Sequence, residues 1–262
     1  MLRAVIKNTR ILDGRAFIGM GILGLTMNLS SNLDALRALF LIISLILYVA
    51  YAFAINNCFD ADTDSVNLVK RRKNPVANGE LSFRAGILSA VLMAVAGLSL
   101  AAFLGLGELA IYLSMVFLAT IYSAPPRLKA RPVTDVLSHG VFFGALPFLY
   151  GASLDGIMTR QELIMALAIT FYSLALELRN HLEDYESDLR AGLRTTPIVI
   201  GKTASERFVL IFSCISIGLL LAPLNPAFGA ISIMTLGVRV RVLDAIVASL
   251  LLMHLLLRVM GV

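Results

Sequence analysis

Apolar residues fall along this chain in long, nearly unbroken runs, not in the strict alternation of a half-buried strand. The runs lie at roughly 16–32, 35–58, 83–105, 108–123, 133–153, 161–181, 204–222, 225–238 and 240–259. Most approach the ~20 residues that a helix needs to cross a hydrocarbon core. Lipid offers no partner to a backbone amide, so runs of this kind must satisfy their own hydrogen bonds as helices. The alternating segments of a membrane β-barrel are missing from the sequence. The pattern predicts an all-α, polytopic membrane helical bundle of about nine transmembrane helices, as a single domain over 1–262. Two runs are short. The fourth is stopped by Pro125 and Pro126, which neither continue a helix nor donate to one. The eighth, 225–238, falls short of a normal span and is expected to be tilted or re-entrant.

Composition sharpens this reading. The chain is 58% hydrophobic and 15% charged, outside the range of ordinary soluble domains. A net charge of +5 would suggest nucleic acid in a soluble protein, but here the basic residues sit in short loops between apolar runs, so the expected partner is the lipid bilayer and not nucleic acid. Of the 22 Lys and Arg, only Arg37, Arg160 and Arg258 fall on one side of the nine-run arrangement. The positive-inside rule therefore assigns the N-terminus and the loops after runs two, four and six to the cytoplasmic face. Arg3, Lys7, Arg10 and Arg15 precede apolar residues 16–29 in the manner of a signal peptide. No small-x-small cleavage site follows, so the first run is expected to stay as a span. With only Cys58 and Cys214, no disulfide framework is expected.

The polar positions that matter are grouped. Run two ends in Asn56-Asn57-Cys58-Phe59-Asp60-Ala61-Asp62-Thr63-Asp64, and run six ends in Asn180-His181-Leu182-Glu183-Asp184-Tyr185-Glu186-Ser187-Asp188. Asn56, Asp60 and Asp64, and again Asn180, Asp184 and Asp188, are spaced four apart, which stacks them on one face if the helix continues. Hard oxygen ligands in this number suit Mg²⁺, which fills its octahedron with water and substrate phosphate. Asp62, Glu183 and Glu186 fall off that face. These two aspartate-rich cytoplasmic loops are expected to face one another around a diphosphate. Lys70-Arg71-Arg72-Lys73 follows the first, and at least one member of the run is expected on phosphate, an Arg suiting the role best because a guanidinium meets phosphate with two parallel bonds. The same run also suits anionic lipid headgroups. In the Pro-rich loop Tyr122 to Pro132, Lys129 and either Arg127 or Arg131 are placed to close on the diphosphate, with Tyr122 donating its hydroxyl. The three scattered histidines form no zinc or haem pattern.

These residues resemble the UbiA superfamily of intramembrane prenyltransferases. The resemblance lies in Asn56 to Asp64 with Asn74-Pro75-Val76-Ala77-Asn78-Gly79, in Asn180 to Asp188 with Gly192 and Thr195-Thr196-Pro197, and in Tyr122-Ser123-Ala124-Pro125-Pro126 leading to Lys129. It implies a helical bundle open laterally to lipid, Mg²⁺ as cofactor, an isoprenyl diphosphate donor and a lipophilic acceptor. It implies that Asp60, Asp64, Asp184, Asp188 and Lys129 are catalytic, that Asn56 and Asn180 complete the metal sites, and that Arg71, Arg72, Lys73, Tyr122, Lys129 and Arg131 bind diphosphate. Asp135 or His139 is the candidate base near the acceptor. Two positions depart from the family pattern: Asn57 stands where many members have Asp, and Asn74 where an Arg often precedes the proline. An ion-coupled transporter would instead place its acids in mid-span, and a CDP-alcohol phosphotransferase would need an Asp-Gly-x-x-Ala-Arg element that is not in the sequence.

Overall fold

The computed structural model describes residues 1–27, 34–190, 192–225, 228–229 and 232–260. Every regular element among them is helical. A short α1 (Leu2–Thr9) and the 12-residue α2 (Arg15–Thr26) precede seven helices long and apolar enough to cross a bilayer. These are α3 (Ala35–Phe59), α4 (Phe83–Leu104), α5 (Leu106–Ser123), α6 (Thr134–Asp155), α7 (Arg160–Glu183), α8 (Lys202–Leu221) and α9 (Val240–Val259). The first apolar run thus yields a helix shorter than its 16–32 extent, and residues 28–33 lie outside the described residues. In the eighth run, residues 226–227 and 230–231 also lie outside them, while Ser232–Gly237 forms a 3₁₀ segment against α8, where Cys214 Sγ donates to the Ser232 carbonyl at 2.8 Å.

Helix starts are encoded locally. Asp34 caps α3 by accepting from Leu36 N, Ser82 caps α4 by accepting from Ala85 N, and Thr159 with Glu162 forms a capping box at α7. Lipid is as apolar as leucine, so the helices are held by close packing and by interhelical hydrogen bonds, not by escape from water. α2 crosses α6 where a Cβ on Gly24 would overlap the Phe148 carbonyl and one on Gly151 the Gly21 carbonyl. Only glycine permits that approach. Across the centre, Ser44 Oγ and Tyr150 OH are 2.6 Å apart, Tyr112 OH donates to the Ser44 carbonyl at 3.1 Å, and Tyr48 OH donates to Phe142 O at 2.8 Å in the π-helical turn Gly140–Ala145 of α6. These bonds tie α3, α5 and α6 around a core of Leu41, Leu45, Tyr48 and Tyr112. α3 packs along α4, and α7 along α8. α3 and α7 deliver their C-terminal ends to the same end of the bundle, where Lys70 just beyond α3 meets Asp184 at the end of α7.

Candidate active site

Both polar motifs are built the same way. α3 ends at Phe59, Asp60 takes the C-cap with its N–H on Asn56 O at 2.9 Å, and the short helix Ala61–Ser65 resumes with Asp64 N on Asp60 O at 2.8 Å. α7 ends at Glu183, Asp184 N reaches Asn180 O at 3.1 Å, and Tyr185–Arg190 resumes with Asp188 N on Asp184 O at 2.9 Å. The backbone amides of Asp60 and Asp64, and of Asp184 and Asp188, each still reach the carbonyl four residues back, so Asn56, Asp60 and Asp64, and Asn180, Asp184 and Asp188, follow one another a turn apart at the two helix ends. Asp62, Glu183 and Glu186 are exposed, as their off-face positions require.

Cations link the rows. Lys70 Nζ, from the helix Leu68–Lys73 that follows the first motif, lies 3.1 Å from Asp184 Oδ2 of the second. Lys129 Nζ bridges Asp60 Oδ2 at 2.5 Å and Asn56 Oδ1 at 3.0 Å, and Arg127 reaches Asp60 Oδ1 at 3.0 Å. The Pro-rich loop thus folds back over the first motif, with Arg127 in the left-handed region at φ 56° to make the turn. Burial pushes the Lys129 ammonium below the usual lysine range, and Asp60 opposes that shift. Burial likewise raises the Asp64 carboxyl, offset in part by a hydrogen bond from Asn74.

The two departures from the family pattern have structural roles. Asn57 points away from the row: its Nδ2 donates to the backbone and side-chain oxygens of Asn8 at 3.0 and 3.1 Å, tying α1 to α3. Asn74 is fully buried and braces the first motif, donating to Asn57 O at 2.8 Å and Asp64 Oδ2 at 2.9 Å while its Oδ1 caps Val76 and Ala77.

Other expected site residues make different contacts from those expected. Arg71, Arg72 and Lys73 are exposed and touch none of the motif acids among the described residues. Arg131 turns its Nε to the Pro126 carbonyl at 3.1 Å, so Arg127 is the arginine of this loop that meets Asp60. The Tyr122 hydroxyl donates to Glu177 Oε1 at 2.7 Å. Asp135 is fully buried and accepts from Thr196 N at 2.6 Å, from Thr196 Oγ1 and from Val136 N at 2.8 Å, so it pins the chain after the second motif to α6. His139 is also buried, with Nδ1 3.2 Å from Ser173 Oγ and its ring among Phe17, Phe142 and Phe143. Sequence reasoning had Lys70 in the basic run and Asn74 among the departures without the contact either makes, and it missed Glu177; a carboxylate inside an apolar run was the signal for the last of these. A cavity of about 40 Å³ opens beside Asn56, walled by Phe53, Tyr122, Phe142 and Phe143.

The model of the UbiA prenyltransferase family matches residues 17–257, nearly the whole chain. The chain belongs to this family. Among curated UbiA relatives, the digeranylgeranylglyceryl phosphate synthase of Methanothrix thermoacetophila is 34% identical over 176 residues, covering 66% of this chain and 61% of that protein. The lycopene elongase/hydratase of Halobacterium salinarum is 33% identical over 159 residues, covering 58% of this chain and 53% of the relative. The chain spans roughly three fifths of the length of the first curated relatives it matches. Among solved structures, a UbiA homologue from Archaeoglobus fulgidus bound to GPP and Mg²⁺ superposes with a TM-score of 0.74 at 22% identity, over 95% of this chain and 96% of that one. The same homologue bound to DMAPP and Mg²⁺ gives 0.76 at 23% identity, over 94% and 96%. This chain therefore has the UbiA fold and is a multi-pass integral membrane protein.

Proposed function

We propose that this protein transfers an isoprenyl group from its diphosphate to a lipophilic acceptor dissolved in the bilayer, and that the acceptor is a prenylated glycerol phosphate. The observation that carries the first part is that the two Asn/Asp motifs end neighbouring helices, with Lys70 of the first motif's loop on Asp184 of the second and Lys129 on Asn56 and Asp60. The acceptor class rests on the names of the synthases to which the chain is similar.

The donor set fits Mg²⁺. Asn56, Asp60 and Asp64 would supply one set of hard oxygens and Asn180, Asp184 and Asp188 another, and the ammonium of Lys129 already contacts Asn56 Oδ1 and Asp60 Oδ2, where a cation is favoured. Bound Mg²⁺ would neutralise the diphosphate and make it a better leaving group. The protein's own residues do the rest. Lys129 and Arg127, shared between Asp60 and an incoming phosphate, hold the diphosphate oxygens and meet the charge that develops on departure. Phe53, Tyr122, Phe142 and Phe143 line the adjoining cavity and keep water from the allylic carbon as it becomes cationic. Their π faces favour that positive charge. The cavity is far smaller than an isoprenyl chain, so the chain must run laterally from it toward lipid. Carboxylates gathered at one end of the bundle suit this chemistry better than ion translocation, which needs acids along a path.

The loops carrying both motifs lie on the cytoplasmic side in this proposal, because all but three of the 22 basic residues share their side. The deciding experiment incubates purified protein in lipid with labelled geranylgeranyl diphosphate, Mg²⁺ and a panel of acceptors: a prenylated glycerol phosphate, a quinone-ring precursor, a chlorin and a carotenoid. Label moving into the glycerol lipid is expected. Transfer to a different member would replace the acceptor assignment, and intact donor with every acceptor would overturn the proposal.

A further inference from the structure

Behind the second motif lies a buried carboxylate outside the motif spacing. Glu177 stands one turn before Asn180 on α7 and is only 5% exposed. Its Oε1 accepts from the Tyr122 hydroxyl at 2.7 Å, and its Oε2 accepts from Asn180 Nδ2 at 3.0 Å. The Nε2 atoms of His139 and His181 each lie 3.4 Å from it. A charged group inside a membrane-spanning helix is costly to keep, so a carboxylate held among four polar partners there calls for a purpose.

We infer that Glu177 is a positioning residue for the second metal site: it turns the Asn180 amide so that Oδ1, and not the NH₂ group, faces the ligand row. This rests on the proposal that Asn180 is a ligand. The two ends of an asparagine amide are nearly the same size, and a free side chain presents either one. Oδ1 attracts a cation, whereas the two hydrogens of Nδ2 repel it. An ionised carboxylate only accepts hydrogen bonds, so whichever end of the amide meets Glu177 must be Nδ2, and Oδ1 is left on the other side. Asn180 is itself exposed, and its Oδ1 accepts no hydrogen bond from the described residues. The first motif solves the same problem differently. There the residue one turn before Asn56 is Phe53, and Asn56 Oδ1 is held by the ammonium of Lys129. The second motif has no lysine on its asparagine among the described residues, and Glu177 supplies the orientation from behind.

Partners that orient a metal ligand typically matter by about 10- to 100-fold in metal affinity. The test is a titration of the purified protein with Mn²⁺ and inorganic diphosphate, read by the electron paramagnetic resonance signal of free Mn²⁺, which needs no turnover. Glu177→Gln is expected to weaken Mn²⁺ binding about tenfold or more in the natural background. In an Asn180→Asp background the sign reverses. There the carboxylate of Glu177 would repel the new carboxylate at position 180, whereas the amide introduced by Glu177→Gln would donate to it, so the double variant binds Mn²⁺ more tightly than Asn180→Asp alone. A Glu177 acting only through its negative charge would weaken binding in both backgrounds when replaced, and that result overturns the positioning role. So does unchanged Mn²⁺ affinity in Glu177→Gln when Asn180→Ala loses it. Unchanged affinity in Asn180→Ala overturns instead the assignment of Asn180 as a ligand. Should Glu177→Gln fail to fold, the same titration of Glu177→Asp decides: its carboxylate is one methylene too short for the Asn180 amide, so weakened Mn²⁺ binding is expected and unchanged affinity overturns the positioning role.

Discussion

Lys129 Nζ lies 2.5 Å from Asp60 Oδ2, and the same ammonium sits 3.0 Å from Asn56 Oδ1. A lysine side chain only 14% exposed is therefore seated among the oxygens proposed for metal and diphosphate. A charge-assisted hydrogen bond to a sequestered anion is worth about 1.5 to 3 kcal/mol, and each 1.4 kcal/mol is a factor of about ten in rate. Lys129→Ala is expected to lower turnover at least about tenfold in protein that inserts normally, measured as labelled product per mole of folded enzyme. A purely topogenic lysine would leave turnover near normal, since the remaining basic residues still bias orientation the same way.

The same burial sets a pH dependence. It pushes the Lys129 ammonium below the ordinary lysine value of 10.5, so the cation is lost at lower pH than an exposed lysine would lose it. If the protonated form grips the diphosphate, kcat/KM for the donor falls on the alkaline side, and the fall begins earlier than 10.5. Lys129→Arg keeps its charge across that range, so its alkaline limb should shift upward. An identical limb in both proteins would assign it to another group.

The two aspartates at the helix caps should separate function from stability. Asp184 is paired with Lys70, and both side chains are nearly half exposed, so the pair contributes little to stability. Asp184→Asn is expected to abolish Mg²⁺-dependent transfer with the melting temperature unchanged. Asp60→Asn should abolish transfer too, but it also strips Lys129 and Arg127 of their carboxylate and should lower the melting temperature. Full turnover in either variant counts against two metal sites.

What could be read ahead of the structure follows from how local each feature is. The seven long spans were legible because bilayer thickness imposes a length on an apolar run, and the placing of both Asn/Asp motifs at helix ends because each motif closes such a run. Lys70 meeting Asp184 was not legible: the residues are 114 apart, and the contact depends on how α3 and α7 end side by side. Arg127 and Arg131 looked alike in sequence, and only the left-handed turn at Arg127 decides which one reaches Asp60. Asn57 and Asn74 were visible as departures, but their direction was not; both turn inward to hold backbone and leave the ligand row to their neighbours.

The α2–α6 crossing gives a prediction of stability alone. A side chain at Gly151 would run into the Gly21 carbonyl and Leu25 N, backbone that cannot move without shifting the whole of α2. Overpacking of this kind typically costs about 1 to 3 kcal/mol. Gly151→Val should lower the melting temperature and the yield of folded protein, whereas Gly107→Ala on α5, with nothing within 4 Å of the added Cβ, should be neutral or slightly stabilising. Equal melting temperatures for the two would mean that the helices do not cross so closely.

Lys70 joins the first motif's loop to Asp184, and Lys129 and Arg127 join the Pro-rich loop to Asp60, so the three segments meet at one end of the bundle and must share a face of the membrane. In the orientation proposed above that face is the cytoplasmic one, the side on which all but Arg37, Arg160 and Arg258 of the 22 basic residues are expected to lie. Cys58 and Cys214 are both buried, and replacing them by serine or alanine gives a background for single cysteines. Cysteines at Ser65, Ala130 and Ser187 are expected to resist a membrane-impermeant maleimide applied to intact cells and to react together once the membrane is opened. A cysteine at Ile157, which is exposed in the α6–α7 connection at the other end, should react without permeabilisation. Labelling of all three motif-side cysteines from outside would reverse the orientation while keeping the site whole. Labelling of one without the others would break the site itself, since no single membrane face then holds both rows of ligands.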